Sequence, residues 1–268
     1  MQQHYIIMSS SYACGSRIAI DITDKDKLNP EYITKIIKQI KTECGQDVSL
    51  SSHCILSESS SWSSVANADS FFENVKVISN IGDFISEIKK GRVLKGSDIA
   101  KYILSKISCT HLKIEKLVYL CFADYICKTK KPLFDDKIYA FKYGPIVKSV
   151  YDNYKKYGGE KIKESYDPNN AERILEEIDL SEENAEKIKS HPESESPWRS
   201  RILFAEDGVE KLLSINSTLE KYKGHTAGQL VQITHCPGSP WSNSYKQENY
   251  SVILNEDVLK YHCNEGID

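Results

Sequence analysis

Thr110-His111-Leu112-Lys113-Ile114-Glu115-Lys116-Leu117-Val118-Tyr119-Leu120-Cys121-Phe122-Ala123-Asp124-Tyr125 is the stretch on which the fold turns. Thr110 is a helix N-cap, because its hydroxyl can accept from a backbone N–H of the first turn. Leu117, Val118, Cys121, Phe122 and Tyr125 then recur at helical spacing on one stripe, and Ile114, Tyr119 and Leu120 add a second apolar side. A helix apolar on more than one side is buried on more than one side. It is therefore placed at the middle of a domain, ending near Lys128, whose charge suits the C-terminal carbonyls, ahead of Pro132.

Outward from it, Ser97 caps an earlier helix with Ile99, Tyr102, Ile103 and Ile107 on one face. On the other side, Lys137 to Phe141 reads as a short extended piece. Gly144-Pro145 reads as a helix start, since Pro at the first helical position sacrifices no hydrogen bond. Ile146, Val147, Val150, Tyr151, Tyr154 and Tyr157 follow at helical spacing, and Gly158-Gly159 stops them.

With these pieces in order, residues 110–119 resemble the signature helix of the Panacea domain, the SocA-like or GepA-type antitoxin domain. Lys131-Pro132-Leu133-Phe134 and Ala140-Phe141-Lys142-Tyr143-Gly144-Pro145-Ile146-Val147 are similar to its next two landmarks. Leu230 to His235 and Ser239-Pro240-Trp241 resemble its closing one. The resemblance covers roughly residues 96–262. Glu115 stands where the family often has Gln, Leu120 where a second Tyr is common, and Phe141 where Trp is common.

The family resemblance implies an antitoxin that neutralises a cognate protein toxin by direct binding, and some members deliver a bound toxin to a protease. A mobile-element or phage adaptor that feeds a client to a protease is the alternative it leaves open. As partner-binding residues it points to Lys116, Tyr119, Phe141, Tyr143, Gly144, Pro145, Tyr151 and Trp241.

Composition bounds the rest. The 268 residues carry a net charge of −3, with 27% charged and 40% hydrophobic side chains. That describes a soluble, cytoplasmic globular chain with one or two domains. No apolar run nears the roughly 18 residues a membrane span needs, and Tyr5-Ile6-Ile7-Met8 lacks the basic flank of a signal peptide. The charge disfavours a chain that coats nucleic acid.

Eight cysteines, at 14, 44, 54, 109, 121, 127, 236 and 263, form no Cys-x-x-Cys pair. They read as buried free thiols rather than as disulfides or a zinc site.

Residues 1–92 have a different texture. Ile18, Ile20 and Ile22 alternate as in a half-buried strand, and Asn29-Pro30 opens a helix lined by Ile33, Ile36, Ile37 and Ile40. Cys54-Ile55-Leu56 and Val75 to Ile78 suggest further strands, and Ile81 to Ile88 a second helix. The fold class is α+β: a small α/β domain over 1–92, then a mostly helical domain over 96–268.

The helical domain carries an acidic surface insertion at 159–201. Beyond it, Asp207 with Glu210 and Thr226 with Gln229 read as capping boxes. In the first of these helices Val209, Leu212, Leu213, Ile215 and Leu219 are placed on the apolar side.

No motif writes chemistry. There is no glycine-rich phosphate loop, and His-Cys neighbours in sequence rarely form a nucleophile–base pair. No catalytic residue, metal or cofactor is assigned. An enzyme hidden in the first domain would need a pocket lined by His4, His53, Cys54 or Asp21. Tyr139, Phe141, Lys142, Tyr143, Lys148, Tyr151, Tyr154, Lys155, Lys156 and Tyr157 interleave rings and cations. They could stack bases, pack inward, or face a protein.

Overall fold

The computed structural model describes residues 1–11, 16–24, 26–163, 197–246 and 250–263. The chain is α+β and divides into two compact units, one holding residues 1–93 and the other residues 94–163 with most of the described chain beyond 197.

The first unit is built on a sheet of order β3-β1-β2-β4. β1 (Gln2–Ser11) lies antiparallel to both β2 (Ser16–Ile22) and β3 (Ser51–Ser57), and β4 (Lys76–Val77) runs parallel to β2. Ile7, Ile18, Ile20 and Ile22 face α1 (Pro30–Cys44) and α3 (Ile81–Arg92). The opposite set, Ile6, Met8 and Ala19, packs with Val65 of α2 (Trp62–Ala68) and with Phe72. The strand expected to be half-buried is thus covered on both faces, because α2 follows the serine-rich residues after β3 and lies on the second face. Its cap is Ser61, whose side chain accepts from Ser64 N.

In the second unit α4 (Gly96–Leu104) has Lys95 at its N-cap position, two residues before the Ser97 expected there. α5 (His111–Thr129) is the signature helix, capped by Thr110 accepting from Lys113 N. Every residue from Ile114 to Ala123 is buried, including Glu115 and Lys116. Packed against α5 are α4, α8 (Gly208–Tyr222), α9 (Ala227–Thr234), α11 (Asn255–Tyr261) and strand β6 (Gly144–Val147).

β6 corrects an expectation. Gly144-Pro145 does not begin a helix; Gly144–Val147 is a strand paired with β5 (Ile138–Phe141), with Ala140 opposite Pro145 and Phe141 opposite Gly144. β7 (Ser251–Ile253) pairs with the other side of β5, leaving β6 at the edge, where a residue without an N–H is tolerated. Helix α6 (Lys148–Tyr154) starts only after the strand.

Three further readings change. Asp207 does not cap α8: it is left-handed at φ 54°, its side chain makes no cap bond, and its carboxylate lies 2.6 Å from Lys131 Nζ. Of the apolar side given to that helix, Leu212, Ile215 and Leu219 are buried but Val209 and Leu213 are each 63% exposed. Cys127 and Cys263 are bonded, with Cα atoms 5.5 Å apart, because the end of α5 meets the residues after α11. Cys44, Cys109 and Cys121 are buried free thiols, whereas Cys54 is exposed and Cys236 half-buried.

The acidic insertion expected at 159–201 lies mostly outside the described residues, as does Cys14. Its end is α7 (Pro197–Leu203), where Arg201 sits 3.3 Å from Asp98 and Ile202 is fully buried. Among the described residues no helix is long and apolar enough to cross a membrane.

Candidate functional site

Two buried ionisable groups, Glu115 and Lys116, and two half-buried histidines, His111 and His235, gather in the second unit. His111, Glu115 and Lys116 come from the first two turns of α5, and His235 follows α9 directly. Lys116 is completely buried and donates to Pro145 O at 2.8 Å, with Glu115 Oε2 3.7 Å away. Glu115 Oε1 lies 2.5 Å from His111 Nε2, outside hydrogen-bond geometry, so both atoms are buried without a hydrogen bond. His235 Nε2 is likewise buried and lacks one. Burial pushes Glu115 up and Lys116 down, since each loses water around its charged form, and their attraction opposes both shifts. His111 and His235 are lowered by burial first and by the Lys116 charge second.

Gly144 is what lets the turn close over this cluster. Its φ is +106°, and a Cβ there would sit 3.0 Å from Lys116 Nζ and 3.1 Å from His235 Nε2.

Above the cluster lie two aromatic rows. In the first, His111 meets Tyr151 at 5.3 Å, Tyr151 meets Phe141 at 5.5 Å, and Tyr250 stacks on Phe141 at 4.1 Å. In the second, His235 lies parallel to Trp241 at 3.6 Å and Tyr245 stacks beyond it at 4.8 Å. The rows are joined where Trp241 Nε1 donates to Phe141 O at 2.8 Å. Trp241 is delivered by α10 (Pro240–Ser244), capped by Ser239 accepting from Ser242 N. The Tyr143-Gly144-Pro145 and Ser239-Pro240-Trp241 turns therefore meet through His235 and form one aromatic platform.

The eight residues named from the resemblance separate by depth. Tyr143 is 61% exposed, while Phe141, Tyr151 and Trp241 are half-buried. Lys116, Tyr119, Gly144 and Pro145 are buried; Tyr119 is turned edge-on to His262 at 6.3 Å, away from the platform rows. Sequence reasoning missed His111, Tyr245 and Tyr250. His235 was visible within its landmark, but nothing local tied it to Lys116.

In the first unit, polar side chains of three neighbouring strands meet. His4 Nδ1 is 2.8 Å from Asp21 Oδ2, and its Nε2 is 2.9 Å from Ser57 Oγ, the order of a Ser-His-Asp triad. His4 is completely buried and Ser57 3% exposed, and Ser57 Oγ donates to Ser59 O at 2.7 Å. A 380 Å³ pocket in this unit is lined by His53 and Arg17 but by neither His4, Asp21 nor Ser57. The three side chains tie strands β1, β2 and β3 together from within. Among the described residues no His, Cys, Asp and Glu cluster could hold a metal ion.

The second unit is thus a mostly helical domain that presents aromatic surface above a buried, partly charged foundation. The family model described as "Antitoxin SocA-like, Panacea domain" matches residues 114–242, from α5 to Ser242. This stretch of the chain is a Panacea domain. No curated protein and no solved structure matches the chain.

Proposed function

We propose that the chain is an antitoxin that neutralises a cognate protein toxin by covering it, with no chemistry of its own. The observation that carries this is a coincidence of place: the antitoxin-domain match begins on the buried helix that supports the platform and ends at Ser242, one residue past the platform's Trp241. Tyr143, Tyr151, Phe141 and Trp241 make the contact, as partly exposed rings that supply large area at little entropic cost. Lys116, Tyr119, Gly144 and Pro145 support them from beneath. The first unit tunes the choice of partner. Lys142 and Lys148, both exposed, give the site a charged rim.

Co-expression with the product of the adjacent gene tests the reading. The product arrests growth alone and becomes harmless beside this chain. A product harmless by itself, or still toxic in the presence of this chain, removes the proposal.

A further inference from the structure

We propose that the cluster beneath the platform is a proton-operated latch: neutral His235 holds Trp241 and the Tyr143–Gly144 turn in place, and its protonation releases them. The latch belongs to the free chain and stands whatever the platform binds.

Three observations place it. His235 joins the two halves of the platform from below, with its ring flat on Trp241 at 3.6 Å and its Nε2 against Gly144, 3.1 Å from the position a Cβ there would take. His235 Nε2 is itself buried and has no hydrogen-bond partner among the described residues. Nε2 and Lys116 Nζ converge on the same side of Gly144, at 3.1 and 3.0 Å from the position its Cβ would take. A proton added at Nε2 would therefore enter a buried space that already holds an ammonium group.

The surrounding charges amplify the effect. α5 supplies His111, Glu115 and Lys116; α9 adds only His235 here, α10 adds uncharged Trp241, and the exposed Lys142 belongs to the β5–β6 turn. Glu115 is the one anion, and burial favours its neutral form. Acid thus removes the anion and adds cations to the same buried volume. Relief comes from moving His235 outward, which breaks its stack with Trp241 and loosens the Trp241 N–H bond to Phe141 O.

The indole N–H resonance of Trp241, assigned with Trp241→Phe, reads the latch in the full chain by NMR between pH 7.5 and 5. It is expected to shift in one step, centred below the ordinary histidine value of 6.5 because burial and Lys116 both oppose protonation. His235→Asn abolishes the step, and His111→Asn keeps it. Lys116→Met moves its midpoint up by about one pH unit, as the loss of a nearby like charge requires. This variant answers the question even if His235→Asn does not fold. A resonance that stays still to pH 5 while circular dichroism shows a folded chain overturns the proposal. So does a step that persists in His235→Asn or ignores Lys116→Met.

Discussion

Gly144, Glu115 and Lys116 show how much of the second unit rests on single side chains. At Gly144 a methyl group meets both a left-handed backbone and two buried nitrogen atoms. Gly144→Ala is expected to lower unfolding free energy by about 2 kcal/mol or more, measured by urea titration. Glu115 and Lys116 make stability depend on pH in opposite senses. Burial raises Glu115 above its ordinary 4.5, so its contribution is full below that pH and is lost as pH rises through the folded-state value. Lys116 lies below its ordinary 10.5, so the cost of its burial is full in acid and recedes as pH rises toward 10.5. His111 and His235, both lowered, slope the same way as Lys116. The share of Glu115 is therefore read as a difference. The melting temperature of wild type minus that of Glu115→Gln should fall as pH rises from 4.5 to neutrality, and a flat difference would show that Glu115 is ionised throughout.

At the scale of elements, the Cys127–Cys263 bond and the Trp241 hydrogen bond fasten α11 and α10 to the rest of the unit. The bond closes a loop with a sequence separation of 136, for which loop-closure entropy gives a stabilisation of about 4–5 kcal/mol. Cys127→Ser should thus lower the denaturation midpoint of oxidised protein and leave that of protein kept in dithiothreitol unchanged. Trp241→Phe keeps a ring on His235 but deletes the donor to Phe141 O, a loss of about 1 kcal/mol. What was legible beforehand at this scale was local. The Thr110 cap, the two-sided stripe of α5 and the Thr226–Gln229 capping box are each written within one or two turns, and each is present. Pro145 was misread because Gly-Pro suits both a helix start and an edge strand, and the choice is made by residues 138–141 pairing with it. The cysteine pair is written nowhere locally, since only the packing of α11 on α5 brings its two halves together. Lys116 is the subtler case: its neighbours Ile114 and Leu117 place it within a buried helix, but its acceptor is a backbone carbonyl 29 residues away.

Across the whole molecule, the two units have separate cores and offer different kinds of surface. The first ends in an edge strand, β3, that exposes Leu56 at 59%, beside a sheet closed on both faces. The second exposes Tyr143 at 61% and Tyr250 at 67% on an interlocked aromatic row and turn. Isolated exposed leucines are ordinary on a protein surface, whereas rings backed by a rigid framework are where interface energy concentrates. On the antitoxin function proposed above, the main grip on the partner is accordingly assigned to the second unit. Tyr143→Ala removes an exposed ring without disturbing the buried cluster. It should cost about 2 kcal/mol of binding, near a 30-fold rise in Kd by titration calorimetry, with the melting temperature unchanged. Leu56→Ala should leave the Kd where it was. If instead Leu56→Ala weakens binding and Tyr143→Ala does not, the grip lies on the first unit. The Panacea platform would then be a support for it rather than the contact itself.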